Sequence, residues 1–376
     1  MNTYFNPVRT FEGYGCLEKL SALASEAAQS EKNTLLLVWN ESVLEKAEIR
    51  QLIKDGDGRV ISRVFTASNP ELRELWQMYT ETRDMNIGLV IAVGGGSVLD
   101  VGKSLCCLYG KNISSADELR TMIAEKAYGT LACRWIGVPT TAGTGSEVTC
   151  WATIWDSENG IKYSVDTARN YAYAALVDPQ LAETMPLGLA VSSALDAVAH
   201  ATESYWARAT NTVSRALALE AIRTVMNNID ALSDDSRRRD AHDRMAKGSM
   251  LAGLAFSNTR TTACHSISYP LTMRYHIPHG AAVAMLLGPV LELNLPAVQD
   301  VPALLDAFGA ERPEQVGERI TSILKAAGHP TTLSEWGVAE NNLPFLAAHG
   351  ITKGRADNNP VELTEGVIYR ILKTIL

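Results

Sequence analysis

The sequence lacks the features that mark secreted, disulfide-bonded or membrane-spanning proteins. Its six cysteines form no CxxC pair and no regular spacing, so we expect reduced thiols, as in a cytoplasmic protein, and no disulfide framework. No apolar run reaches the length that a membrane-spanning helix needs. The opening residues MNTYFNPVRTFEG contain neither the basic nor the apolar stretch of a secretory signal. We therefore predict a soluble, cytoplasmic protein without a membrane partner.

The chain also has fewer basic than acidic residues. The chain has 34 basic and 42 acidic residues, for a net charge of −8. A nucleic-acid-binding protein needs a basic face that replaces condensed counterions, so this composition argues against such a partner. A small anionic substrate remains possible, because a few cationic side chains near a binding site can outweigh the mildly negative net charge of the protein.

The pattern of apolar residues changes near the middle of the chain. With 376 residues, the chain exceeds what one hydrophobic core usually serves. In the first half, short apolar runs alternate with amphipathic stretches, which predicts strand–helix–strand units and a mostly parallel sheet. The predicted strands are residues 34–40, 59–67, 86–96 and 134–140. From Pro186 onward the sequence is rich in Ala and Leu with helical periodicity. We therefore predict an α/β domain over residues 1–182 and an all-helical domain over residues 183–376.

A glycine-rich turn, the segment GGGSVLD from Gly94 to Asp100, follows the third predicted strand. Its glycines let backbone amides approach an anion closely, and a helix predicted to begin near Ser97 aims its N-terminal dipole at the same place. The segment is neither the GxGxxG fingerprint nor a Walker loop. Phosphate binding and a plain strand-to-helix turn are both open interpretations of it.

A threonine-rich loop, the segment PTTAGTGSEVT over residues 139–149, follows the next predicted strand. Its hydroxyl-bearing residues are Thr140, Thr141, Thr144, Ser146 and Thr149. Such residues can also be ordinary caps. However, ligands of open α/β sheets bind at the carboxyl ends of the strands, and both loops should lie there. Together the two loops favour a ligand site over two ordinary turns.

Residue types that bind metals occur in the helical half. Asp196 and His200 are spaced i, i+4, so they project from one helix face and can share a cation. His265 and His279 follow them in the chain. A lone histidine is more often an ordinary core or surface residue, but an unpaired Asp on an apolar face is costly to bury. One carboxylate and three imidazoles suit Fe(II) or Zn(II), with room left for a substrate oxygen.

In this order, the motifs GGGSVLD, PTTAGTGSEVT, DAVAHATES and HSISYPLT…IPHG resemble those of the iron-containing (group III) alcohol dehydrogenases. That family shares its fold with glycerol dehydrogenase and dehydroquinate synthase. The resemblance extends over nearly the whole chain. It implies a dinucleotide-binding N-terminal domain, a helical metal-binding domain, NADH or NADPH as coenzyme and a homodimer. It also implies hydride transfer between an alcohol and an aldehyde.

The resemblance further implies roles for individual residues. The metal ligands would be Asp196, His200, His265 and His279, with iron as the metal, although this set would accept zinc. The coenzyme's pyrophosphate would contact Gly95, Gly96 and Ser97, with Asp100 just behind, and its nicotinamide half would be lined by Thr140, Thr141 and Thr144. Ser146 and Thr149, in the same loop, are also assigned to coenzyme binding. Asn69 would lie near the adenosine, and Lys162 near the nicotinamide ribose.

Two departures from the family pattern bear on these roles. Asn40 stands where the family often has an Asp that repels the 2′-phosphate of NADPH, so either coenzyme is expected to bind. Tyr269 stands where the family usually has a second histidine that relays protons. The proton relay is therefore assigned to Tyr269, His276 or water.

The segments WATIWDSENGIKYS and LAGLAFSNTRTTACHSISYPLT resemble the phosphonate-metabolism branch of the family, the phosphonoacetaldehyde reductases, which make 2-hydroxyethylphosphonate. A phosphonate needs cations to hold it. Arg260 is the first candidate because a guanidinium can bind a phosphonate through two hydrogen bonds. Lys162 and His276 are weaker candidates, and Arg260 could instead form a structural salt bridge. The alternatives are a dehydrogenase for a neutral alcohol or diol, a lyase like dehydroquinate synthase, and a non-catalytic nucleotide-binding protein.

Overall fold

The computed structural model describes residues 3–376, which divide into two compact units. The α/β unit contains Asn6–Thr141 and Ser146–Leu181. The helical unit contains Ala182–Leu376 together with Ala142–Gly145 and residues 3–5. The middle of the threonine-rich loop therefore belongs to the helical unit, although it precedes residue 182. The domain boundary at residue 182 stays a prediction.

The α/β unit is built from eight strands and five α-helices among its described residues. The strands are β1 (Arg9–Glu12), β2 (Asn33–Val38), β3 (Val60–Val64), β4 (Ile87–Gly94), β5 (Arg134–Pro139), β6 (Trp151–Asp156), β7 (Ile161–Asp166) and β8 (Ala174–Val177). The helices are α1 (Leu20–Ala27), α2 (Ala47–Asp55), α3 (Leu72–Thr82), α4 (Gly96–Leu108) and α5 (Ala116–Glu125). Six strands form one sheet in the order β1-β8-β5-β4-β2-β3, with all neighbours parallel. The predicted mostly parallel sheet is confirmed.

The interior strand β4 shows why this sheet forms. All eight of its residues, IGLVIAVG, are buried, as expected of a parallel strand that is covered on both faces. It ends at Gly94, where a Cβ would lie only 2.5 Å from Cβ of Val98. Glycine at this position lets the chain turn directly from β4 into α4.

The apolar runs of the sequence did not predict four of the strands. β1 and β8 have four residues each, and β1 is largely exposed. β6 and β7 form an antiparallel hairpin that is separate from the main sheet. Its turn contains Gly160 with a φ of 63°, a left-handed conformation that favours glycine.

The helical unit contains nine α-helices in its described part and no strand. They are α6 (Leu187–Trp206), α7 (Thr212–Met226), α8 (Arg238–Thr259), α9 (Ala263–Tyr275), α10 (His279–Asn294), α11 (Val301–Phe308), α12 (Pro313–Ala326), α13 (Leu343–His349) and α14 (Glu365–Thr374). Helix α6 is buried along most of its length and packs against α7, α8 and α10. At Gly280 a Cβ would lie 2.1 Å from the carbonyl oxygen of Ser192. This close approach brings the start of α10 against α6.

One helical stretch in the described residues, His279–Ala297, is long and apolar enough to cross a membrane. Of its 18-residue window, 61% is buried inside the protein. Its apolar side chains belong to the core of the helical unit. We interpret this stretch as a core helix.

Candidate metal centre and coenzyme loops

Three helices bring the predicted metal ligands together. Asp196 and His200 lie on α6, His265 lies in the first turn of α9, and His279 is the first residue of α10. The Asp196 carboxylate lies 3.3 Å from Nε2 of His265, 3.9 Å from Nε2 of His279 and 3.8 Å from Nδ1 of His200. Three histidines, carried by three different helices, therefore surround one carboxylate.

The donor atoms of this cluster fit a divalent cation. One ligand atom from each of Asp196, His265 and His279 lies within 4.8 Å of the other two. Within the described residues, Oδ1 of Asp196, Nδ1 of His200 and Nε2 of His265 are buried and make no hydrogen bond. Buried polar atoms are rarely left unpaired without a functional reason. The imidazole and carboxylate donors are those that Fe(II) and Zn(II) accept.

His200 lies beside these three ligands rather than in the tight group that they form. Its ring stacks on the His265 ring at a centroid distance of 4.2 Å and on the Phe256 ring at 4.2 Å. Burial, together with nearby His265, lowers the pKa of His200 to about 4, although Asp196 opposes this. The imidazole is therefore neutral near pH 7, which is the form that binds a metal.

The charges within the cluster favour an ionised Asp196. Burial alone would raise its pKa, but His200, His265 and His279 outweigh that effect and lower it below its usual range. Burial lowers the pKa of His265, but the carboxylates of Glu203 and Asp196 more than offset that effect, so the net shift is upward. The cluster thus provides a buried negative charge among imidazoles.

Glu203 is a buried carboxylate at the edge of this cluster that the sequence analysis did not identify. Its Oε1 accepts hydrogen bonds from Oγ1 of Thr262 (2.9 Å) and from the backbone N–H groups of Cys264 (2.6 Å) and His265 (3.4 Å). These contacts cap the N-terminus of α9, whose own N-cap residue, Thr262, supplies no side-chain cap. Its Oε2 accepts a hydrogen bond from Nδ1 of His265.

The contact between Glu203 and His265 determines which ring nitrogen of His265 is available to bind a metal. With its proton on Nδ1, His265 presents the lone pair of Nε2 toward Asp196. Carboxylates that orient metal-binding histidines in this way are typical of metal sites. Glu203 lies seven residues after Asp196, on the same face of α6. That helical spacing is the signal in the sequence that could have identified it.

The other predicted residues of the helical unit lie at different positions around the cluster. The Tyr269 ring stacks on the His279 ring, with centroids 6.1 Å apart and an interplanar angle of 10°. His276 follows the end of α9 and is exposed. Arg260 follows α8 with a φ of 62°, and its backbone N–H donates to the carbonyl oxygen of Phe256. Only Tyr269 of these three has a ring packed on a predicted metal ligand.

In the α/β unit, the glycine-rich turn and the start of the threonine-rich loop are neighbours because β4 pairs with β5. The N–H of Thr140 donates to the carbonyl oxygen of Gly94, and a Cβ on Gly95 would lie 3.3 Å from Cγ2 of Thr141. Helix α4 begins at Gly96, and Oγ of Ser97 donates to the carbonyl oxygen of Ser68. The residue before Asn69 therefore adjoins the glycine-rich turn.

The structure also gives the positions of Thr144, Asn40 and Lys162. Thr144 belongs to the helical unit. Asn40 follows β2, where its side chain accepts a hydrogen bond from the N–H of Ser42 at 2.8 Å. Lys162 lies on β7, with its Nζ 5.4 Å from the centroid of the Trp155 ring.

Ser146 and Thr149 surround a buried lysine rather than present free hydroxyl protons. Lys103 is fully buried on α4 and donates to Oγ of Ser146 (2.7 Å), to Oγ1 of Thr149 (2.9 Å) and to the carbonyl oxygen of Trp151 (2.9 Å). Ser146 in turn donates to Asp100, and Thr149 donates to the carbonyl oxygen of Ser146. The hydroxyl protons of both residues are therefore engaged within the protein, and their assignment to coenzyme binding stays a prediction.

Side-chain hydrogen bonds of Lys103 and Asp100 connect the glycine-rich turn and helix α4 with the threonine-rich loop. Asp100 also accepts a hydrogen bond from the N–H of Thr153 at 2.8 Å. Burial lowers the pKa of Lys103, against the opposing effect of Asp100. The sequence analysis did not identify Lys103, because a lysine in an apolar helix gives no local sign that its ammonium group is buried.

The chain matches known sequence families over almost its whole length. Residues 7–179 match the profile described as iron-containing alcohol dehydrogenase, and residues 190–376 match that of the C-terminal part of the Fe-containing alcohol dehydrogenase family. The chain is 31% identical to long-chain-alcohol dehydrogenase 1 of Geobacillus thermodenitrificans, over 77% of this chain and 75% of that protein. It is 29% identical to phosphonoacetaldehyde reductase of Streptomyces viridochromogenes, over 78% of this chain and 77% of that protein.

The fold also matches a solved structure along its full length. Sulfoacetaldehyde reductase of Bifidobacterium kashiwanohense in complex with NAD+ superposes with a TM-score of 0.88, covering 100% of this chain and 98% of the other at 24% identity. At this identity the match shows the fold alone. It agrees with the observed combination of a parallel α/β unit and a helical unit.

Proposed function

Because this chain belongs to the iron-containing alcohol dehydrogenase family and is an oxidoreductase, we propose that it reduces phosphonoacetaldehyde to 2-hydroxyethylphosphonate with NADH or NADPH. In this reaction the aldehyde carbon gains a hydride, its oxygen gains a proton and the coenzyme is oxidised to NAD(P)+. The observation that carries the proposed chemistry is the cluster of the buried Asp196 and His265 with the half-buried His279, and with His200 beside it.

We propose that these four residues hold Fe(II). When bound, a divalent cation supplies Lewis-acid polarisation of a carbonyl oxygen. Glu203 keeps the proton of His265 on Nδ1, and the Asp196 carboxylate provides the negative charge that retains the cation. Tyr269, whose ring stacks on His279, is the proposed donor of the proton from its hydroxyl oxygen. Its packing favours it over the exposed His276.

The proposed coenzyme contacts are the backbone of Gly95 and Gly96, the hydroxyl of Ser97 and the side chains of Thr140 and Thr141. The N-terminus of α4 supports this proposal, since it directs backbone N–H groups and a favourable dipole at an anion. Bound NAD+ in the sulfoacetaldehyde reductase of the same fold supports the choice of a nicotinamide coenzyme.

Two observations support an anionic substrate. The phosphonoacetaldehyde reductase of Streptomyces viridochromogenes is 29% identical to this chain. In addition, Arg260 follows the last turn of α8, one helical turn after Phe256, whose ring stacks on His200. A guanidinium in this region suits a phosphonate. The similarly distant long-chain-alcohol dehydrogenase makes a neutral alcohol the second candidate substrate.

The test is the oxidation of NADH and of NADPH by the purified protein against a panel of aldehydes. The panel contains phosphonoacetaldehyde, its uncharged analogue propanal, and glycolaldehyde. We expect the highest kcat/KM for phosphonoacetaldehyde, and a loss of that preference in Arg260→Ala. Equal kcat/KM values across the panel would overturn the substrate assignment.

A further inference from the structure

Arg355 is a cation close to the candidate metal centre. It lies in the segment between α13 and α14, and its guanidinium carbon is 5.5 Å from the centroid of the Tyr269 ring. The same Tyr269 ring stacks on His279 at 6.1 Å. Only one aromatic ring therefore separates the guanidinium from a predicted metal ligand.

Within residues 3–376, no carboxylate forms an ion pair with Arg355, and its buried Nε makes no hydrogen bond. The guanidinium lies over the Tyr269 ring and carries five N–H donors. Placing a partly buried cation without a counter-charge is costly. A bound anion would remove that cost.

The segment that carries Arg355 is held firmly at two points. The side chain of Asn358 donates to the carbonyl oxygens of Thr259 (2.8 Å) and Thr261 (3.1 Å), which flank Arg260. At the other point, Oγ of Ser266 donates to the carbonyl oxygen of Gly350 at 2.6 Å. Ser266 directly follows His265, so the segment is tied to the helix that carries a predicted metal ligand. The backbone around Arg355 is thus held in place, which lowers the ordering cost of binding an anion there.

We propose that Arg355 binds the anionic group of the aldehyde substrate. This inference rests on the proposed function, and it assigns the substrate class by chemistry: a short aldehyde that carries a phosphonate, a sulfonate or a carboxylate. The planar guanidinium offers two parallel N–H donors to two oxygens of such a group. Arg260, which is tied to the same segment through Asn358, is the neighbouring cation.

The test compares Arg355→Met and Arg355→Lys with a matched control. Arg274→Met removes an arginine whose guanidinium lies 4.4 Å from the exposed ring of Phe345, a pair that takes no part in the candidate site. Steady-state constants are measured for phosphonoacetaldehyde, sulfoacetaldehyde, succinic semialdehyde and the neutral propanal. We expect Arg355→Met to raise KM for the preferred anionic aldehyde by about 10- to 100-fold, as for the loss of a charge-assisted hydrogen bond.

The same variants discriminate between the outcomes. Under the proposal, the KM for propanal rises far less than the KM for the anionic aldehydes in Arg355→Met, and Arg355→Lys retains anion binding only in part. The anionic aldehyde with the largest loss identifies the group that Arg355 binds. If Arg355→Met had the wild-type KM for every anionic aldehyde, the proposal would be overturned. An equal rise in KM for propanal and for the anionic aldehydes would also overturn it.

A binding measurement separates this inference from the proposed function. Methylphosphonate binding to the wild-type protein is measured by calorimetry, without turnover. We expect binding that is lost in Arg355→Met and kept in Arg274→Met. If phosphonoacetaldehyde is not reduced but methylphosphonate still binds through Arg355, the proposed substrate is wrong and the anion site stands. If methylphosphonate binds equally to wild type and to Arg355→Met, the anion site is wrong.

Discussion

Replacing Glu203 by Gln tests how the helical unit keeps its metal ligands in position. Gln preserves shape, and its amide oxygen can still accept the hydrogen bonds of Thr262 and Cys264 that cap α9. Its amide nitrogen would then face Nδ1 of His265 as a donor instead of an acceptor. His265 would have to move its proton to Nε2, the atom that faces Asp196. The variant therefore blocks a ligand atom without removing any ligand.

The expected size of the effect follows from the contacts that change. Loss of an orienting partner typically lowers metal affinity by about 10- to 100-fold. Exchanging one charge-assisted hydrogen bond should also lower the free energy of unfolding by roughly 1.5–3 kcal/mol. Removal of the whole side chain in Glu203→Ala should cost more, because the donors of Thr262, Cys264 and His265 would all lose their buried partner.

The assay is anaerobic titration of the metal-free protein with Fe(II), and with Zn(II), against a competing chelator. Two variants serve as controls. Glu220→Gln changes an exposed glutamate on α7 and should leave the affinity unchanged. Thr262→Val weakens the cap of α9 but keeps the contact between Glu203 and His265, so it should lower stability more than metal affinity. A Glu203→Gln protein that binds both metals as tightly as wild type would refute the reasoning.

Three further predictions concern the metal, the coenzyme and a buried carboxyl group. Chelation should abolish activity and lower Tm, since a bound metal stabilises only the folded state, and Fe(II) should restore both; full activity in a protein shown to be metal-free would contradict this. Asn40→Asp should lower kcat/KM for NADPH relative to NADH by about tenfold through repulsion of the 2′-phosphate, whereas an unchanged coenzyme ratio would place Asn40 outside the ribose site. Burial raises the pKa of Glu147 to about 7, from 4.5. Its contribution to stability is therefore full below pH 4.5 and is lost as pH rises through 7, by on the order of 3 kcal/mol. Between pH 5 and pH 8, the free energy of unfolding measured in urea should fall less in Glu147→Gln than in wild type. Equal falls would exclude Glu147 as the source of this pH dependence.

The class of fold could be predicted because its signals are local. Strands such as β4, buried on both faces, appear in the sequence as continuous apolar runs, and the helices that follow Pro186 appear as Ala- and Leu-rich periodic stretches. Short or exposed strands such as β1 carry no such signal. The β6–β7 hairpin packs outside the main sheet, so the strand–helix alternation did not predict it.

Part of the metal site could also be predicted from local sequence. The spacing of Asp196 and His200 on one helix determines that they share a face, whatever the rest of the chain does. Their meeting with His265 and His279 depends on the packing of α6, α9 and α10, including the close approach at Gly280.

What the sequence by itself determined, then, is the types of donor and the helix face that carries two of them. Only the tertiary structure decided which partners those donors meet. Glu203 contacts the ring of His265, which is 62 residues away in the chain, and Arg355 lies against Tyr269, far from it in sequence. Hydrogen bonds and uncompensated charges of this kind arise from packing between distant segments, so no local pattern encodes them.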